Sequence, residues 1–177
     1  MINYQNRSTG HPIADALLSG FGAGSVFIFA QMIISAALGG SVTAPLRMIS
    51  TIWLGPQVLN PSYPSATAVS VGLLIHGVLS IVFGLLFLFL VIMSRQTRAT
   101  RHLIVYGFFY GIALWLVNFY LIAPRVFPQF LAVNQIWSGF VAHSLFYGVP
   151  LGWCMSEGRV RPPLEMELPR RPERRYG

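Results

Sequence analysis

The sequence predicts an all-α membrane protein of four transmembrane helices, built as a two-helix unit used twice, with a short interfacial helix in the first outer loop. Three observations carry that prediction. There are four long uncharged runs, arginine is distributed to one side of them, and polar residues recur at matched spacing in the two halves. Of 177 residues, 54% are hydrophobic and 10% are charged, against about 25% charged in an ordinary soluble domain. About 18 uninterrupted apolar residues suffice to cross roughly 30 Å of hydrocarbon as a helix.

The spans are expected at residues 17–40, 68–93, 103–123 and 135–155. Pro150 interrupts the last, which a membrane helix tolerates where neighbouring groups satisfy the freed carbonyl. The domain 17–155 then follows a cytoplasmic segment, 1–16, and precedes a tail, 156–177, whose arginine and proline content predicts a disordered cytoplasmic extension. The opening segment is polar and lacks the basic stretch and short apolar core of a cleavable signal, so the first span is expected to act as its own membrane signal.

The formal charge of +7 comes from arginine alone, because the chain has no lysine. Such a balance on a soluble protein would raise the question of nucleic acid. Here the arginines flank apolar runs or lie in the tail, and no nucleic-acid motif is present. Arg7, Arg95, Arg98, Arg101 and the arginines from Arg159 onward share one side of the predicted topology, whereas only Arg47 and Arg125 fall in the other two loops. The positive-inside rule places both termini in the cytoplasm.

The first outer loop, 41–67, contains PLRMISTIWLGPQVL at 45–59. That segment is too short to span and too apolar for water. It reads as an interfacial or re-entrant helix with Trp53 at headgroup level.

The repeat rests on matched residues. Gly20, Gly24 and Gln31 in the first span have the spacing of Gly107, Gly111 and Asn118 in the third. An Ala-Pro pair and an arginine follow each. Gly72 and His76 open the second span as Gly139 and His143 open the fourth. The glycine pairs are small-xxx-small motifs, which let backbones approach where lipid supplies no hydrophobic drive. Gly72, His76, Ser80 and Gly84 recur every four residues and so share one helical stripe, expected to face the other helices. Residues 85–90 are expected to face lipid.

No Asp, Glu, Lys or Arg lies within the predicted spans, and Asp15 is expected outside the membrane. This argues against a charge-coupled pump. The polar residues that remain are His76, His143, Gln31 and Asn118. Each histidine lies about eight residues into its span, or about 12 Å deep at about 1.5 Å per residue. The two amides reach the same level from the other direction. All four are therefore expected to converge in the outer half of the bilayer.

Three readings of that cluster stand side by side. Each imidazole could hydrogen-bond a neighbour and glue the bundle. His76 and His143 could be metal ligands to a haem b, or hold a chlorophyll-type pigment, with Gln31 and Asn118 orienting the rings. The cluster could also line a pocket for a quinone or other small apolar ligand, or a route for a small solute or lipid. The lack of a Ser-His-Asp arrangement at catalytic spacing argues against a hydrolytic site. The single cysteine, Cys154, excludes an internal disulfide and a cysteine zinc cluster.

The segments IHGVLSIVFGLLF (75–87) and FVAHSLFYGVPLGW (140–153), with the acidic-proline tail after Gly158, resemble the YagU-like family of bacterial inner-membrane proteins, whose function is not established. The resemblance implies a bacterial cytoplasmic (inner) membrane and four spans, with histidines in these helices. Small size, uncharged spans and an arginine tail suited to docking lead to the expectation of a non-catalytic protein. It would be an accessory or scaffold subunit of a larger membrane complex, in contact with the lipid bilayer and with other membrane subunits or further copies of itself.

Overall fold

A computed structural model describes residues 12–94, 99–131 and 136–157 of the chain. Among them there is helix and no strand. Three helices are long and apolar enough to cross a membrane: Pro12–Ala37, Ser65–Met93 and Thr100–Val126. Leu18, Phe21, Phe29, Ile33, Leu74, Phe89 and Phe109 are all exposed along them. An apolar exterior of this extent suits lipid and not water. Arg7, His11, Arg95, Arg98, Gln135 and the tail arginines lie outside the described residues.

Helix α1 (Pro12–Ala37) begins earlier than expected and takes Asp15 into its first turn. A carboxylate there faces the positive end of the helix dipole. Its Oδ2 is buried with no hydrogen-bond partner. Helix α2 (Ala44–Leu54) has proline in its first turn and ends at Gly55, and a 3₁₀ turn, Pro56–Leu59, follows. Gly39 and Gly55, on either side of α2, both have φ of 80°, a conformation that favours glycine. Helix α3 (Ser65–Met93) starts after Pro64.

Helix α4 (Thr100–Leu116) widens into a π segment, Val117–Ile122, before α5 (Ala123–Val126). The run 136–156 is likewise helical but in three pieces: α6 (Ile136–Val141), a π segment (Ala142–Gly148) and α7 (Val149–Ser156). Each π segment lies just upstream of a proline, Pro124 or Pro150. Proline removes one N–H and its ring crowds the carbonyl four residues back. Widening by one residue lets the helix continue past the obstruction.

Glycine determines how closely the helices meet. Gly20 of α1 lies against Ser80 and Gly84 of α3, and Gly24 lies against Ser80 and His76. Gly107 and Gly111 of α4 lie against Gly148, Gly152 and the His143 backbone. A Cβ at Gly111 would collide with the carbonyl oxygen of His143. Helix α1 also packs against α7 and the second π segment. Tyr147 Oη crosses to donate to the Ser80 carbonyl at 2.7 Å, and Tyr110 Oη donates to the Phe83 carbonyl at 2.8 Å.

The expectation that residues 85–90 face lipid is corrected at two positions. Phe87 is 0% exposed, packed on Tyr106 and Tyr110, and Leu88 is also buried. Rings on α4 fill the gap on that side of α3, where no glycine seam forms. The small-residue stripe on α3 is buried at Gly72, Ser80 and Gly84, but Gly72 meets the Leu46 backbone of α2 and not a long helix.

Candidate functional site

One end of the bundle holds a partly open cavity of about 420 Å³. Its walls come from the C-terminal half of α1, the N-terminal half of α3, the first π segment and the start of the run 136–156. Its cover is α2 together with Phe127 and Phe130. Gln31, His76, Asn118 and His143 all line it. The four residues singled out by spacing are thus brought together, since long helices that cross at close glycine contacts carry residues of equal depth to one level.

His76 lies on the glycine-facing stripe of α3, and its Nε2 donates to the Gly24 carbonyl of α1 at 2.8 Å. The close approach at Gly24 leaves that carbonyl within reach. Ser80 Oγ donates to the His76 carbonyl at 2.7 Å and stands 3.4 Å from Nε2. His143 is held differently: its Nδ1 donates to Gly139 O of its own helix at 2.8 Å. Its Nε2 is left as an acceptor, and the Asn118 amide nitrogen reaches it only at 3.5 Å, a weak contact by length. Both tautomers follow from the neighbours, because a carbonyl can only accept.

Phe27 joins the two histidines. Its ring stacks on His76 with centroids 5.5 Å apart and meets His143 edge-on at 4.9 Å. Phe119 meets the other side of the site, 6.0 Å from His143. Gln31 also lines the cavity, and among the described lining residues none carries a formal charge.

The cover was only partly legible. The segment 45–59 does form a helix apart from the long ones, and Trp53 on it is 81% exposed. Its other face presents Met48, Ile49 and Ile52 to the cavity. Arg47 braces the loop by donating to the carbonyls of Val58 at 2.8 Å and Asn60 at 2.9 Å. Gln129 Nε2 donates to Thr51 Oγ1 at 3.0 Å and ties this loop to the 3₁₀ turn Pro128–Leu131. Sequence reasoning missed Phe127 and Phe130. Their signal was an aromatic pair three residues apart, one helical turn, in a short loop.

For a metal-centred group between the histidines, the nitrogens without a carbonyl partner are His76 Nδ1 and His143 Nε2. His76 Nε2 is engaged by Gly24, and Phe27 packs on both rings. Ligation through that nitrogen would break the bond joining α1 to α3. Among the described residues no three His, Cys, Asp or Glu side chains gather as a metal group. The cavity is otherwise apolar and aromatic, with a few convergent polar groups, the usual make-up of a small-molecule site. No family model, curated protein or solved structure matches the chain.

Proposed function

We propose that this is a four-span, non-catalytic membrane protein whose business is to hold a small neutral amphiphile in the cavity beneath α2. The observation that carries the reading is the convergence of Gln31, His76, Asn118 and His143 on one apolar, aromatic space of about 420 Å³. That volume lies within the usual range of about 300–1,000 Å³ for ligand sites. Bundle glue alone accounts for His76, but not for the gathering of Gln31 and Asn118 on the same cavity or for the long contact between Asn118 and His143.

Spanning by the fourth run is supported by its tryptophans. Trp137 and Trp153 are 76% and 54% exposed near its two ends. They are separated by about 24 Å at about 1.5 Å per residue, a distance suited to the two interfacial belts. With arginine-rich segments cytoplasmic, the cavity opens in the outer half of the bilayer, and ligand enters from lipid or past α2. An accessory role in a larger complex is compatible with such a protein, which would deliver or retain the molecule for a partner.

The test is native mass spectrometry of protein purified in nanodiscs of its own lipids. Wild type should carry one or a few defined small masses. Leu79→Trp, which fills the cavity, should lose them while keeping its thermal midpoint. Identical spectra for both would sink the reading.

A further inference from the structure

The hydrogen-bond inventory of the cavity is unbalanced, and the imbalance narrows the ligand. Three hydroxyl groups line it, and each has already committed its proton to a carbonyl. Ser35 donates to Ser41 O at 2.8 Å, Ser80 to His76 O at 2.7 Å, and Tyr147 to Ser80 O at 2.7 Å. Each imidazole has likewise committed its N–H, His76 to Gly24 O and His143 to Gly139 O. What remains is a lone pair on His76 Nδ1, a lone pair on His143 Nε2, and the amides of Gln31 and Asn118. No carboxylate lines the space to pair an imidazolium, and an unpaired buried charge is costly. The lining therefore has acceptors in excess.

We propose, resting on the ligand-site reading above, that the cavity selects a hydroxyl-donating aromatic head, a phenol or hydroquinone, over the corresponding carbonyl compound. A ligand hydroxyl gives its proton to His143 Nε2 and displaces the 3.5 Å contact from Asn118. The freed amide then donates to the same hydroxyl oxygen, so both His143 Nε2 and the Asn118 amide gain a partner. A quinone carbonyl can only accept. It could accept an amide N–H but has no proton to give the imidazole nitrogens, which stay without a donor in an apolar wall. Phe27, Phe119, Phe127 and Phe130 supply the aromatic surroundings for a planar ring. With no charged side chain among the described lining residues, nothing there pairs a phosphate, carboxylate or ammonium head.

The test uses the full chain in nanodiscs, under reducing and oxygen-free conditions where needed. Four probes share one short alkyl tail: a hydroquinone, its quinone, its dimethyl ether and a plain alkylbenzene. Affinities are read by calorimetric titration. The hydroquinone should bind about tenfold more tightly than the quinone or the ether, the difference expected from one well-made hydrogen bond. His143→Phe should remove the preference for the hydroquinone over the ether. A quinone that binds as tightly as the hydroquinone overturns the proposal while the cavity stands as a ligand site. Failure of all four probes, the alkylbenzene included, overturns the ligand-site reading itself. The probe series on wild-type protein decides the matter even if the variant does not fold.

Discussion

The pair α1/α3 and the pair formed by α4 with the run 136–156 use similar parts in different ways. In the first, Ser80 sits between Gly20 and Gly24; in the second, Gly148 sits between Gly107 and Gly111. His76 lies four residues before Ser80, whereas His143 lies five before Gly148. The π segment Ala142–Gly148 absorbs the extra residue, so each histidine keeps its place about one turn from the seam. The anchoring then diverges. His76 is bonded across the seam to α1, while His143 is bonded to its own helix. One histidine holds two helices together, and the other keeps a nitrogen available to the cavity. Similar placement in a bundle does not imply a similar task.

The sharpest way to break this comparison is at the glycines. Gly111→Ala would press a methyl onto the His143 and Ser144 backbone. Since backbone cannot rotate aside, a loss of about 3 kcal/mol or more is expected, at or beyond the upper end for overpacking. In thermal unfolding in detergent, this variant should be the least stable. Gly24→Ala meets the Ser80 side chain instead. Adding Ser80→Gly copies the second seam and should recover most of the loss. Without that recovery, the two seams do not work alike.

His76→Ala should come next. It removes a helix-to-helix hydrogen bond and the stacking with Phe27, for an expected loss of about 2 kcal/mol. His143→Ala should cost less in the same unfolding assay, because its hydrogen bond lies within its own helix and its contacts with Phe27 and Phe119 are edge-on, not stacked. Equal losses would erase the distinction between the two histidines. Pro150→Ala should relax the π segment toward an ordinary helix and rotate His143 away from the cavity. Affinity for the hydroquinone probe is then expected to fall about tenfold, with stability changed by less than about 1 kcal/mol. Tyr147→Phe acts on a single hydrogen bond between helices. It frees the Ser80 carbonyl and should lower stability by about 0.5–1.5 kcal/mol.

The long helices and the polar quartet were legible because both leave simple marks. An uncharged run is written directly in the residues, and equal depth follows from counting along helices. The π segments were not legible. Pro124 and Pro150 mark trouble, but whether a helix ends, bends or widens there depends on what packs against it, which for the segment before Pro150 is Gly107 and Gly111. The burial of Phe87 was hidden for a similar reason, since Leu85 and Leu90 around it look alike until Tyr106 and Tyr110 arrive from another helix. The separate helix α2 was visible in its sequence. Its service as a cover depends on Gln129, 78 residues away.

The unequal anchoring of the histidines also bears on how the chain can be made. Membrane helices are delivered in order from the ribosome, and a polar ring that enters hydrocarbon needs a partner at once. When α3 emerges, α1 is already present, and the Gly24 carbonyl can receive His76. His143 arrives with the last run, and its own Gly139 carbonyl travels with it. Neither ring has to wait for a helix not yet synthesised. The cavity can thus be completed at the final step, when His143 arrives facing the others with one nitrogen still unspent.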